Sequence, residues 1–275
     1  NVAVGHNAGV AITTGVNNTL IGALAGDALT DADDNVALGA LALTSDTLGS
    51  RTTALGRGAL GAQNFTTATQ SYNTAVGYFA GQATTTAIQN TLIGGEAGDA
   101  LTTGSQNVAI GAFALTSETT SSNNVAIGRE ALKTQDGASN NVAVGRTAGS
   151  AVTTGSNNTL VGTLVGDALT TGANNVALGF EALSTNTQAN ANVAIGYEAL
   201  ETFNVASDTS TFNTAVGTQA GKAMTTGVDN TLIGGKAGIA LTDADENVAV
   251  GKGALATDTL GSKSVAIGVG ALNEQ

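Results

Sequence analysis

The chain has 275 residues, of which 42% are hydrophobic and 11% charged, with 38 Gly and no Pro, Cys or Trp. That is too apolar for disorder, and at 3% aromatic residues it excludes a core of large interlocking rings. The net charge of -12 argues against nucleic acid or an anionic membrane as partner, and no apolar run reaches the roughly 18 residues of a membrane span.

The repeat starts at once. Asn1-Val2-Ala3-Val4-Gly5 is the first of sixteen copies of one motif, closed by Gly5, Gly22, Gly39, Gly56, Gly77, Gly94, Gly111, Gly128, Gly145, Gly162, Gly179, Gly196, Gly217, Gly234, Gly251 and Gly268. Thirteen of the fifteen steps are 17 residues and two, after Gly56 and Gly196, are 21. So short a period predicts a solenoid, each coil covered only by its neighbours. Three residues before the glycine stands Val or Thr, and one before it Val, Ile or Leu, which predicts a strand. These two bulky residues are expected to fill the interior. The residue between them, Ala37 and its equivalents with Leu20, Leu92, Leu160 and Leu232, is then expected to face outward as an apolar stripe. Asn lies four before the glycine in fourteen coils, Thr52 and Ser264 being the exceptions, and predicts an asparagine ladder. The invariant glycine predicts a backbone that a side chain would forbid, or a close approach of a neighbouring strand.

After the glycine the second half of each coil is regular too. Ala stands three residues on in fifteen coils, Val165 being the exception, and the next residue runs Gly, Gly, Leu, Leu, as in Gly9, Gly26, Leu43 and Leu60, four times over. Coils therefore group in quartets, and the two long steps divide the chain into similar halves, about 1–140 and 141–275, of one solenoid domain spanning 1–275. Both ends cut through a repeat, and the chain is expected to be a fragment of a longer fibre. Residues 65–72 and 205–212, in the long steps, are expected to bulge. Seventeen residues leave room for two strands of four to five residues, about 10 Å apart, in a flattened roll. At about 4.8 Å per coil the sixteen make a rod of roughly 75 Å. Runs such as Glu130-Ala131-Leu132-Lys133 are read as strand or turn.

Chemistry-bearing residues are few. The one histidine, His6, lacks the partners of a hydrolytic triad, and Gly94-Gly95 lacks the lysine and helix of a phosphate loop. The turns Asp31-Ala32-Asp33-Asp34 and Asp243-Ala244-Asp245-Glu246 offer oxygen ligands for calcium, but equivalent turns use Thr-Thr-Gly, which favours a solvated acidic turn. Asp27, Asp99 and Asp167 are expected to form a surface row. Thr stands eight after the glycine in twelve of fifteen coils, a threonine ladder from which ice binding could be argued. No residue is assigned a catalytic, cofactor-binding or metal role, and no enzyme is expected.

The motif Asn-Val-Ala-Ile-Gly followed by Ala-Leu, at Asn107 to Leu115 and Asn192 to Leu200, resembles the head repeats of trimeric autotransporter adhesins. Units such as Asn157-Asn158-Thr159-Leu160-Val161-Gly162 with Thr-Thr-Gly spacers look more like the shaft repeats of bacteriophage tail fibres. The resemblance implies a homotrimeric, extracellular fibre, on a virion tail or a cell surface. Its implied partners are further copies of itself and a host-cell receptor, bound through this or another segment. The alternatives are a bacterial cell-surface adhesin and an ice-binding solenoid.

Overall fold

A computed structural model describes residues 1–273. The chain is an all-β parallel solenoid of about sixteen turns, without helix among the described residues. It forms two compact units, Asn1–Ser139 and Asn140–Gln275. In the first, the strands Val2–Val4, Thr19–Ile21, Val36–Leu38, Thr53–Leu55, Thr74–Val76, Thr91–Ile93, Val108–Ile110 and Val125–Ile127 stack in sequence order. In the second, eight strands from Val142–Val144 to Val265–Ile267 do the same. Register is set motif on motif, so Thr19 pairs with Val36 and Leu20 with Ala37.

Each coil holds one three-residue strand, not two longer ones. The return leg is a chain of turns, because left-handed backbone recurs along it. In one coil Gly128 has φ +136°, Glu130 +60° and Leu132 +48°. Alternating signs of φ forbid both helix and strand, so Glu130-Ala131-Leu132-Lys133 is turn. Among the described residues the return leg pairs as strand only beside the long steps: Gly49–Ser50 with Thr69–Gln70 in the first unit, and the bridge Asn190 to Ser210 in the second. Each long step also sends one ring inward, Phe65 or Phe203. The expected bulges shrink to their exposed tips, 66–68 and 206–210.

The two faces of the strand are the reverse of the expectation. In every coil but the first, the middle residue is buried, as Ala37 and Leu92 are at 0% exposure. The flanking residues face out, Val36 at 36% and Leu38 at 45%. The interior is too thin for two bulky columns because the return leg fills it. Leu43, Leu60, Leu115, Leu132, Leu183, Leu200 and Leu255 reach in from left-handed backbone and are fully buried. Each such backbone costs about 1–3 kcal/mol, and burying the leucine returns about 1.5–3 kcal/mol.

The Gly-Gly-Leu-Leu rule is the same volume seen twice. In the second coil of a quartet the strand supplies the leucine instead, and a Cβ on the return-leg glycine would strike it. At Gly26 such a Cβ would lie 2.8 Å from a Leu20 methyl, at Gly98 2.9 Å from one of Leu92. The leucine overlaps the preceding coil too, 2.7 Å from the Cβ position of Gly9, so the glycines come in pairs.

Candidate functional site

The asparagine column lies inside. From Asn18 to Asn247 these side chains are at most 1% exposed, and most make two bonds to the coil that follows. At the second long step Asn192 Oδ1 accepts the N–H of Asn213 (3.2 Å), but its Nδ2 donates to Asn190 O (3.1 Å). Asn90 donates from Nδ2 to Gly104 O (3.0 Å), and its Oδ1 accepts the N–H of Asn107 (2.8 Å). The pattern needs one donor and one acceptor on a short arm, which Asn has and Asp lacks. Where Thr52 breaks the column, Gln63 lends the missing amide, donating to Thr52 Oγ1 (3.0 Å) and accepting from Asn73 Nδ2 (2.8 Å).

A second buried polar column escaped the sequence reading. Seven residues after the glycine, the third coil of a quartet carries Asp46, Glu118, Asn186 or Asp258, each under 8% exposed. Asp46 Oδ1 accepts the N–H groups of Gly49 and Phe65 (both 3.0 Å), and its Oδ2 accepts Gln63 Nε2 (2.6 Å). Glu118 takes Gln135 in the same way (3.2 Å). A carboxylate only accepts, so the next coil must bring a donor. Asn186 satisfies itself, accepting from Ala189 N and donating to Ala189 O (both 3.0 Å), and the next coil is free to place Phe203 there.

Burial lifts the Asp46 carboxyl above its ordinary value, against the opposing hydrogen bonds of Gln63, Phe65 and Gly49. With the folded pKa raised, the stability this group contributes is full below its unfolded pKa and lost as pH rises through the folded one. Asp46→Asn, which copies Asn186, is therefore expected to melt at or above the parent at pH 7. The parent should gain on the variant as the pH falls toward about 4. Thermal melts at both pH values check this, and a variant that melts well below the parent at pH 7 refutes it.

The other polar features named from sequence serve the coil stack. Asp33 Oδ1 accepts Val16 N–H and Asp245 Oδ1 accepts Val228 N–H, both at 2.8 Å. Ser50 and Ser262 do the same with a hydroxyl for Asp33 and Asp245 (2.9 and 3.0 Å). Asp27 and Asp99 are half-buried and accept from Thr44 (2.6 Å) and Thr116, so that row is more than surface. Seventeen residues after Asp167 stands Ser184 where Asp27 and Asp99 have Thr, and one Asp167 oxygen is buried without a hydrogen bond. Burial, with the charge of Glu181, raises its pKa. The threonine hydroxyls donate to the carbonyl of the next threonine, Thr30 to Thr47 (3.0 Å) and Thr170 to Thr187 (2.8 Å). His6 is exposed in the first coil.

Acidic side chains do converge elsewhere. Carboxylate oxygens of Glu181, Glu198 and Glu201 lie within 4.8 Å of one another. Lys222 pairs with Glu198 and with Glu201 (3.0 Å), and Gln219 Nε2 donates to Glu198 (2.9 Å). Lys222, then Tyr197 and Gln219, hold the Glu198 pKa down to about 2.

What remains without a partner is the outer face of the sheet. The position before the glycine is Val, Ile or Leu in all sixteen coils, and Ile21, Leu38, Ile93, Leu178 and Ile233 are 36–46% exposed. Strands at about 4.8 Å spacing give eight coils a stripe about 38 Å long. At roughly 10 Å width it amounts to about 400 Å² per unit, in the range where an apolar patch marks an association surface. No helix among the described residues is long and apolar enough to cross a membrane. No protein-family model matches the chain, and no curated protein matches it either.

Proposed function

We propose that the chain is the structural shaft of an extracellular fibre, most closely a phage tail fibre used in host attachment, in which three copies bury their Val/Ile/Leu stripes against one another. The observation that carries this is the exposed stripe, one column wholly apolar and the other Val or Thr, in both units. Each unit offers about 400 Å² of this surface per copy. Cyclic closure satisfies every stripe at once and leaves the turns outward; the choice of three copies comes from the resemblance to fibre repeats. The coil supplies length and stiffness, and the receptor is met by this or another segment. A bacterial surface adhesin would use the same assembly. Ice binding is disfavoured, because the threonine hydroxyls spend their protons on the next coil.

Light scattering on the 275-residue chain is expected to give about three times its mass of 26.7 kDa. The double variant Leu38→Glu, Leu178→Glu, which puts one charge on the stripe of each unit, is expected to give a folded monomer. A monomeric parent overturns the proposal.

A further inference from the structure

Three exposed aromatic rings, Tyr72, Tyr78 and Phe113, and the half-buried Phe79 carry a cation. Arg51 lies 5.6 Å from the centre of the Tyr72 ring, Arg57 lies 5.8 Å from Tyr78 and 5.2 Å from Phe79, and Lys133 lies 6.0 Å from Phe113. Phe212 carries none at 60% exposure, and neither do Phe180 and Tyr197. They are 41% and 47% exposed, and their rings stack on each other at 5.8 Å and 12°. Among the described residues no cation covers either.

Both residues directly follow a coil glycine, as Arg57 and Tyr78 do. In the first unit that column therefore runs Arg then Tyr, with the guanidinium over the ring. In the second it runs Thr163, Phe180, Tyr197, Thr218, two rings bounded by short side chains. Beside the pair, three carboxylates, Glu181, Glu198 and Glu201, face one ammonium, Lys222. Lys222 is held by Glu198 and Glu201, and no cation pairs with Glu181 among the described residues.

We infer that the Phe180–Tyr197 stack is a docking platform for an arginine side chain of a partner polypeptide, with Glu181 as its counter-ion. The ring faces attract a cation, and the surplus negative charge selects its sign. A planar guanidinium extends a ring stack and grips a carboxylate with two parallel N–H donors, which an ammonium cannot do. The chain already makes the first of these contacts within itself, at Arg57. Both rings lie two residues beyond the strand, outside the apolar columns of the stripe.

The chain has three tyrosines, Tyr72, Tyr78 and Tyr197, so tyrosine-selective isotope labelling of the full chain gives a spectrum with built-in controls. N-acetyl-arginine amide is expected to shift the Tyr197 resonances saturably and to leave Tyr72 and Tyr78 in place, since Arg51 and Arg57 already cover them. The uncharged isostere N-acetyl-citrulline amide should bind about tenfold more weakly, and Glu181→Gln should weaken arginine binding several-fold. Equal shifts at all three tyrosines, equal binding of the citrulline probe, or no saturable shift at Tyr197 would each overturn the assignment. These outcomes are read on the parent chain and hold even if the variant misfolds.

Discussion

Gly111→Ala is expected to cost about 4 kcal/mol of stability. Two penalties add there. The backbone at Gly111 has φ +134°, and a Cβ would lie 2.5 Å from the carbonyl oxygen of Gly128 in the next coil. Strain of that kind costs about 1–3 kcal/mol and overpacking a similar amount. Gly268 separates the two. Its φ is +130°, but a Cβ would meet nothing nearer than the Ala271 Cβ at 3.8 Å, so Gly268→Ala should carry the strain alone. Thermal melting of both variants tests the argument, which fails if they melt together or if Gly111→Ala melts with the parent.

Asn90→Leu is expected to cost about 4 kcal/mol as well, for a different reason. Leucine fills the space but leaves two buried backbone groups, the N–H of Asn107 and the carbonyl of Gly104, without the partner the amide supplied. Each orphaned group costs about 1–3 kcal/mol. Amide exchange gives a directional check. The N–H of Asn107 should exchange faster, while that of Asn90, bound to Asn73 Oδ1 at 2.9 Å, keeps its protection. Equal loss at both positions would mean that the coil had simply come apart.

The repeat unit, the buried asparagines and the restricted glycines were legible because each is written sixteen or fourteen times without a rival explanation. Which face of the strand is inside was not, although the information was present. Side chains alternate, so Asn35 and Ala37 share one side and Val36 and Leu38 the other. An asparagine column with hydrogen bonds to complete belongs inside, and it takes the alanines with it. Hydrophobicity alone pointed the other way, because Val and Leu are greasier than Ala; what decided was the volume already claimed by residues such as Leu43 and Leu60. Asp46, Glu118 and Gln63 were missed because charge and amide read as surface. Their shared place seven residues after the glycine was the signal available. The Phe180–Tyr197 pair was visible as two rings 17 residues apart, but the carboxylates beside it come together only through the turns of the return leg.

Apart from the Asn192 amide, which donates to Asn190 O, the asparagine rungs reach the same way, from a coil to its successor. During synthesis the amino-terminal coil emerges first, and each asparagine laid down presents a free acceptor and a free donor to a stretch not yet made. The growing edge is thus a mould for the next 17 residues, and a coil completes its neighbour's bonds as soon as it arrives. Nucleation is needed once in a unit, and extension then follows the order of synthesis.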